Sequence, residues 1–193
     1  KRVRFHYSID AYGEQNDYIR YPSKWKHQEE VFWQLDNTAA PVEITTATTI
    51  MALNIGYIPE LVKWKVTQGF KKVNVWPFGA GGINMHFAYW PPQLNVKVLP
   101  QSVKQKITDK YEQEFFPWID ENWQKFTGVE QQGVDKDTFD HAQYGKKRYK
   151  GLINFMNAED WSMRLPETRE YLQLLDKSRN LDFAKTFSIL KDI

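Results

Sequence analysis

Apolar and polar positions alternate over residues 3–9, with Val3, Phe5, Tyr7 and Ile9 set against Arg4, His6 and Ser8. A period of two in β-branched and aromatic residues predicts a strand, and Asp10 to Asn16, with Gly13 inside it, reads as the loop leaving its carboxyl end. Trp25, Val31, Phe32 and Leu35 then follow helical spacing, which predicts a helix capped by Ser23 and ending near Asn37, ahead of Pro41. Val42 to Ile50 returns to alternation and is heavy in Thr and Ile, a second strand. After a turn around Asn54 to Pro59, Glu60 to Val66 predicts a short helix closed near Gly69. Lys72 to Trp76 and Ile83 to Trp90, separated by Gly79-Ala80-Gly81-Gly82, fit either a hairpin or two separate strands, and Pro91-Pro92 ends them.

From Ser102 the apolar period lengthens. Val103, Ile107, Tyr111, Phe115 and Phe116 suit one amphipathic helix, which Pro117 should kink or restart before Ile119, Trp123 and Phe126. Thr127 to Tyr144 is polar and reads as a loop. Helices follow around Lys147 to Ala158, Pro166 to Arg179 and Phe183 to Leu190.

Strands alternating with helices imply parallel strands joined by right-handed crossovers, and the late helices imply a cap or flank on that sheet. The expected fold is therefore α/β. Too few strands are present to close a barrel, and the first strand carries an edge that needs a partner. That strand has no preceding turn or cap, so the sequence reads as a fragment of something larger.

Composition narrows the chemistry. Aromatic residues make up 16% of the 193 positions, so large rings should carry much of the burial energy and also suit a ligand groove. A net charge of +2 is too balanced to call for nucleic acid or an anionic membrane, and the run Lys146-Lys147-Arg148-Tyr149-Lys150 reads as a solvated loop or helix end, with a phosphate-binding patch as the alternative. The chain has no cysteine, which excludes disulfides, thiolate metal sites, cysteine nucleophiles and a self-held iron–sulfur cluster. No apolar run approaches the ~20 residues of a membrane helix and no signal peptide is evident, so no membrane partner and a cytoplasmic location are expected.

Other constellations are weak. His6, His27, His86 and His141 lack metal-ligand spacing, although His6 and His86 could face one cavity from neighbouring strands. The Gly79–Gly82 stretch lacks the Lys-Ser/Thr tail and following helix of a phosphate loop. Trp76, Phe87, Tyr89 and Trp90 read as core rings. Glu29-Glu30 and Glu159-Asp160 are adjacent in sequence and diverge on a helix, so neither pair is given a catalytic role.

The segment Tyr7-Ser8-Ile9-Asp10-Ala11-Tyr12-Gly13-Glu14, followed by Asp17-Tyr18-Ile19-Arg20 and then Trp25, resembles the mid-barrel segment of twitch or SPASM-type radical S-adenosylmethionine proteins. The likeness extends through Ile44 to Asn54, Ile58-Pro59, Tyr89-Trp90-Pro91, Val98-Leu99-Pro100 with Lys104, Phe155-Met156 and Leu175-Asp176-Lys177-Ser178-Arg179. The resemblance implies the second half of a partial TIM-like barrel of about three to four mostly parallel strands, followed by C-terminal helices. On that basis residues 1–100 form the barrel half and residues 101–193 a helical region packed on it.

By the same resemblance Ser8, Asp10, Arg20 and Asn54 are expected cofactor-binding residues. Ser8 corresponds to the hydroxyl that hydrogen-bonds the methionine or ribose portion of S-adenosylmethionine, Arg20 to the guanidinium that pairs with its carboxylate, and Asn54 to a donor and acceptor for ribose or adenine. Ala11 stands where the family usually has Gly, and it would be strained if that position needs positive φ. The cluster-binding cysteines of the family lie upstream of the matching region, so an iron–sulfur cluster would come only with a missing N-terminal half or a complementing chain. The isolated chain is then expected to hold no cofactor and to be catalytically silent, while the intact enzyme would cleave S-adenosylmethionine reductively and modify a substrate, plausibly a peptide. The alternative is a non-catalytic, aromatic-rich α/β module for binding or for homodimerisation through the exposed first strand.

Overall fold

The computed structural model describes residues 3–73, 83–122, 141–191 and 193. Three parallel strands, β1 (Val3–Ser8), β2 (Val42–Ile50) and β3 (Ile83–Phe87), form an open sheet in the order β1-β2-β3. Tyr7 pairs with Thr46, and Thr46 with Ile83, so the register runs straight across the sheet. The parallel pairing of β2 and β3 makes Ile83–Phe87 a separate strand and removes the hairpin option. Val73 adds an isolated parallel bridge to Ile44, and the glycine-rich stretch and Trp76 lie outside the described residues.

Between β1 and β2 the chain makes two helices, α1 (Gly13–Ile19) and α2 (Trp25–Asn37). The first replaces part of the expected loop. Gly13, at φ +64°, turns the chain into it, and Asn16 Oδ1 accepts from the amides of Asp10 (3.0 Å) and Ala11 (3.4 Å), holding the strand's exit against the new helix. Ser23 does not cap α2. Asp17 accepts the Trp25 amide instead, and the Ser23 hydroxyl accepts from Gln28 Nε2 at 2.8 Å.

A 3-10 turn over Ile55–Tyr57 leads into α3 (Ile58–Thr67), with Pro59 in its first turn. The later helices are α4 (Gln101–Lys110), α5 (Phe116–Asn122), α6 (His141–Asn157), α7 (Leu165–Arg179) and the short α8 (Phe183–Thr186). Pro117 is the second residue of α5, so an α-helix does restart beside it. A π-helical turn over Tyr111–Phe115 precedes it, and the wider turn accommodates the missing N–H and the ring. The end of the polar stretch opens α6, and its earlier part, 127–140, lies outside the described residues. Within the basic run, Lys146 pairs with Asp120 at 2.6 Å and Lys147 and Lys150 are exposed while Tyr149 is fully buried, so the run winds round α6 with its ring turned to the core.

The helices cover one face of the sheet. Phe5, Tyr7, Ile44, Thr46, Thr48, Ile50, Ile83, Met85 and Phe87 share that face by strand alternation. On it Tyr7 meets Phe32 of α2 at 4.5 Å, Lys65 of α3 reaches Thr46, and Phe87 stacks on Phe155 of α6 at 3.9 Å. Trp25, Phe32, Trp64 and Phe70 interlock edge-to-face beneath α2 and α3, a geometry that adds to burial energy. Asp36, itself buried, closes the layer by accepting the backbone amides of Lys71, Lys72 and Val73.

The opposite face carries Arg4, His6, Ser8, Thr45, Ala47, Thr49, Asn84 and His86, and of these Arg4, His6, Ser8, Thr49 and His86 are exposed. Parallel sheets are ordinarily covered on both faces by apolar layers, so an open polar face is a departure from the rule. The outer edge of β1 has no partner strand among the described residues, and Val3 and Phe5 beside it are 48% and 43% exposed. Tyr89 and Trp90, expected in the core, lie beyond the end of β3, where the Tyr89 ring meets Phe155 of α6 at 5.9 Å but both side chains stay exposed. No helix among the described residues is long and apolar enough to cross a membrane.

Candidate functional site

The carboxyl ends of β1 and β2 open together, because β1 leads into Ile9-Asp10 and β2 into Met51 on the same side of the sheet. Ligands of open parallel sheets gather at this end, where strands hand over to loops. Here a cavity of about 420 Å³ is lined by Asp10, Ile19, Arg20, Tyr21, Met51, Leu53, Leu94, Tyr171, Leu175 and Arg179. Its walls mix aliphatic side chains and two tyrosines with three charged residues, Asp10, Arg20 and Arg179, so that polar groups converge on an apolar lining.

Asp10 is the pivot. It is 5% exposed, its Oδ1 accepts the Thr49 amide at 2.8 Å, and its Oδ2 lies 2.9 Å from Arg20 Nε. The carboxylate thus ties β1 to β2 and holds the guanidinium over the cavity. The Arg20 N–H is not aligned on that oxygen, so the contact is an ion pair that leaves the hydrogen-bonding fork of Arg20 unspent among the described residues. The same guanidinium works against a stronger effect at Tyr7, where burial pushes the phenol up.

Asn54 stands behind the site rather than at it. It is fully buried, its Nδ2 donates to the carbonyls of Asp10 (2.7 Å) and Thr49 (2.8 Å), and its Oδ1 accepts the Met51 amide at 2.8 Å. Both donors are used in bracing the two strand ends, so the ribose or adenine contact expected of it has no donor to draw on. Ser8 is exposed on the open polar face, in register with Ala47, and does not line the cavity. The structure therefore brings Asp10 and Arg20 together, makes Asn54 their brace, and sets Ser8 apart from the cavity. Ala11 is buried without positive φ, since Asn180 is the one such non-glycine among the described residues, and the anticipated strain is absent.

Tyr21, Tyr171 and Arg179 line the cavity without having been marked as site residues from the sequence. Tyr21 follows Arg20 directly, while Tyr171 and Arg179 arrive on α7 from about 150 residues away, a distance that local pattern cannot bridge. The α7 residues are fixed by Asp176, whose carboxylate accepts the Tyr18 hydroxyl at 2.8 Å and the Phe183 amide at 3.0 Å. Burial, followed by this hydrogen bond, pushes the Tyr18 phenol far up.

Among the described residues no three His, Asp or Glu side chains converge as a metal site would require. No protein-family model matches the chain, and neither a curated protein nor a solved structure matches it.

Proposed function

We propose that this chain is the rear portion of a radical S-adenosylmethionine barrel, supplying cofactor-contacting strand ends and a helical cap to an enzyme whose cluster-binding half is carried by other residues or by a complementing chain. The observation that carries the reading is that Arg20, for which the sequence resemblance implies a carboxylate partner, borders a cavity at the carboxyl ends of parallel strands, with Asp10 2.9 Å from its Nε. Two further features support it. The second face of the sheet carries exposed side chains, as the inward face of an incomplete barrel would, and the edge of β1, without a partner strand among the described residues, offers backbone donors and acceptors to a further parallel strand.

In this reading Arg20 takes the carboxylate of the cofactor's methionine portion, Asp10 holds Arg20 in place, and Ser8 on the lumen face is left for the ribose. The bound cofactor supplies a radical only once a reduced cluster is present. The chain's own residues bind and orient, and they exclude water with the Tyr21 and Tyr171 rings. The substrate is taken to be a peptide on the polar face, and the compartment the cytoplasm.

The test is calorimetric titration of the full chain with S-adenosylmethionine. Although the chain is expected to retain no cofactor on its own, S-adenosylmethionine added in excess should bind saturably, and Arg20→Gln should weaken that binding by about tenfold or more, as loss of a charge-assisted pair requires, with the circular dichroism spectrum unchanged. Absence of binding by the folded wild type, or equal affinity in Arg20→Gln, would remove the reading.

A further inference from the structure

The cavity holds a second guanidinium to which the cofactor reading gives no work. Arg179 sits in the last turn of α7, one residue before Asn180 takes left-handed backbone at φ 54°. A basic residue there is favoured by the helix dipole, but Lys177 in the same turn is exposed and already meets that preference. The dipole does not explain why Arg179 lines the cavity. Its Nη1 donates to the Tyr18 carbonyl at 3.2 Å, and its Cζ lies 5.3 Å from the centre of the Tyr21 ring. The Tyr18 carbonyl is its only hydrogen-bond acceptor among the described residues, so most of its N–H donors are unspent.

We infer that Arg20 and Arg179 together form a two-guanidinium site for a small carboxylate-bearing molecule with an apolar body. The inference stands on the cavity and does not rest on the cofactor reading, although the two share Arg20. Two guanidinium groups against the one carboxylate of Asp10 leave a single positive charge, which matches a monoanion. A phosphate dianion would place surplus negative charge beside Asp10. The planar fork of Arg suits a carboxylate's two oxygens, and Ile19, Met51, Leu53, Leu94 and Leu175 offer an apolar wall to the rest of the ligand. Arg179 comes prepositioned, because its Nη1 donates to the Tyr18 carbonyl and its guanidinium lies over the Tyr21 ring, while Asp176 fixes its helix against Tyr18 and Phe183.

The experiment titrates the full chain with N-acetyl-L-leucine, with N-acetyl-L-leucinamide, which differs in lacking the carboxylate, and with inorganic phosphate, following amide chemical shifts. The acid should saturate and bind about tenfold tighter than the amide or phosphate. Arg179→Gln should weaken the acid about tenfold and leave the amide unchanged. Should Arg179→Gln fail to fold, Arg179→Lys, which keeps the charge and loses the fork, carries the comparison with a several-fold loss expected. Equal affinity for acid and amide, tighter binding of phosphate, or undiminished acid binding by the folded variant would overturn the inference. A chain that takes the acid but not S-adenosylmethionine supports the two-guanidinium site and removes the cofactor reading. A chain that takes S-adenosylmethionine but not the acid does the reverse.

Discussion

Asn54→Ala is expected to lower the unfolding free energy by about 3 kcal/mol, enough to consume a large part of a typical domain's stability. The side chain is fully buried and serves the Met51 amide and the Asp10 and Thr49 carbonyls at once. Truncation leaves the buried Asp10 carbonyl without this partner, at about 1–3 kcal/mol, and takes the same support from the half-buried Thr49 carbonyl and Met51 amide, where water recovers part of the loss. Asn54→Asp should be at least as damaging, because it sets a carboxylate oxygen against the two carbonyls that now receive N–H donors. Urea unfolding of both variants checks this. A loss below about 1 kcal/mol for the alanine variant would mean that the strand ends hold themselves without the brace.

The second large effect concerns Lys65, which α3 carries fully buried against β2, with Nζ donating to Thr46 Oγ1 at 3.1 Å. Desolvation holds its ammonium well below the ordinary value of 10.5. Above pH 10.5 the folded and unfolded chains both carry it neutral, and there is no penalty. As pH falls below that value the unfolded chain takes up the proton first, so this residue's contribution to stability drops by about 1.4 kcal/mol per pH unit until the folded-state pKa is reached. Lys104, also lowered by burial, has the same sign, while the buried tyrosines Tyr18, Tyr111 and Tyr149 oppose it only above about pH 10, where unfolded tyrosine ionises. The comparison is therefore wild type against Lys65→Met between pH 7 and about 9.5, which cancels the shared groups. Lys65→Met should be the more stable at pH 7, and its advantage should shrink as pH rises. An advantage that does not change with pH would mean that Lys65 titrates alike in both states.

The parts of the fold that could be read from the sequence are those written as long periodic runs. The alternation in Val42–Ile50 and the helical spacing from Trp25 to Leu35 match β2 and α2. What escaped depends on contacts between distant residues. α1 is short, and Asn16 binding back to the Asp10 and Ala11 amides, together with packing against α8, keeps it helical within a segment that reads as a loop. Pro117 marks the restart at α5, but the π-helical turn ahead of it has no sequence signature. Tyr89 and Trp90 have the composition of core residues, but they lie past the end of β3, outside the alternation that would place them on a sheet face, and both are exposed.

The candidate site divides in the same way. Asp10 and Arg20 sit close in sequence, so the resemblance located them, and a β1–α1 unit brings them together. Asn54 is identifiable as a polar residue after β2, but the direction its amide faces is decided by two carbonyls that no pattern reveals. Arg179 required the packing of α7 against the Tyr18 region before it could be counted as part of the cavity.

The central claim is that the carboxyl ends of β1 and β2 hold S-adenosylmethionine. Backbone amide chemical-shift mapping of the full chain during titration with that compound tests it most directly. The account predicts saturable shifts concentrated at residues 8–20 and 49–54. Shifts confined to the helix-covered side around Trp64 and Phe70, or none at saturating concentration, would contradict it.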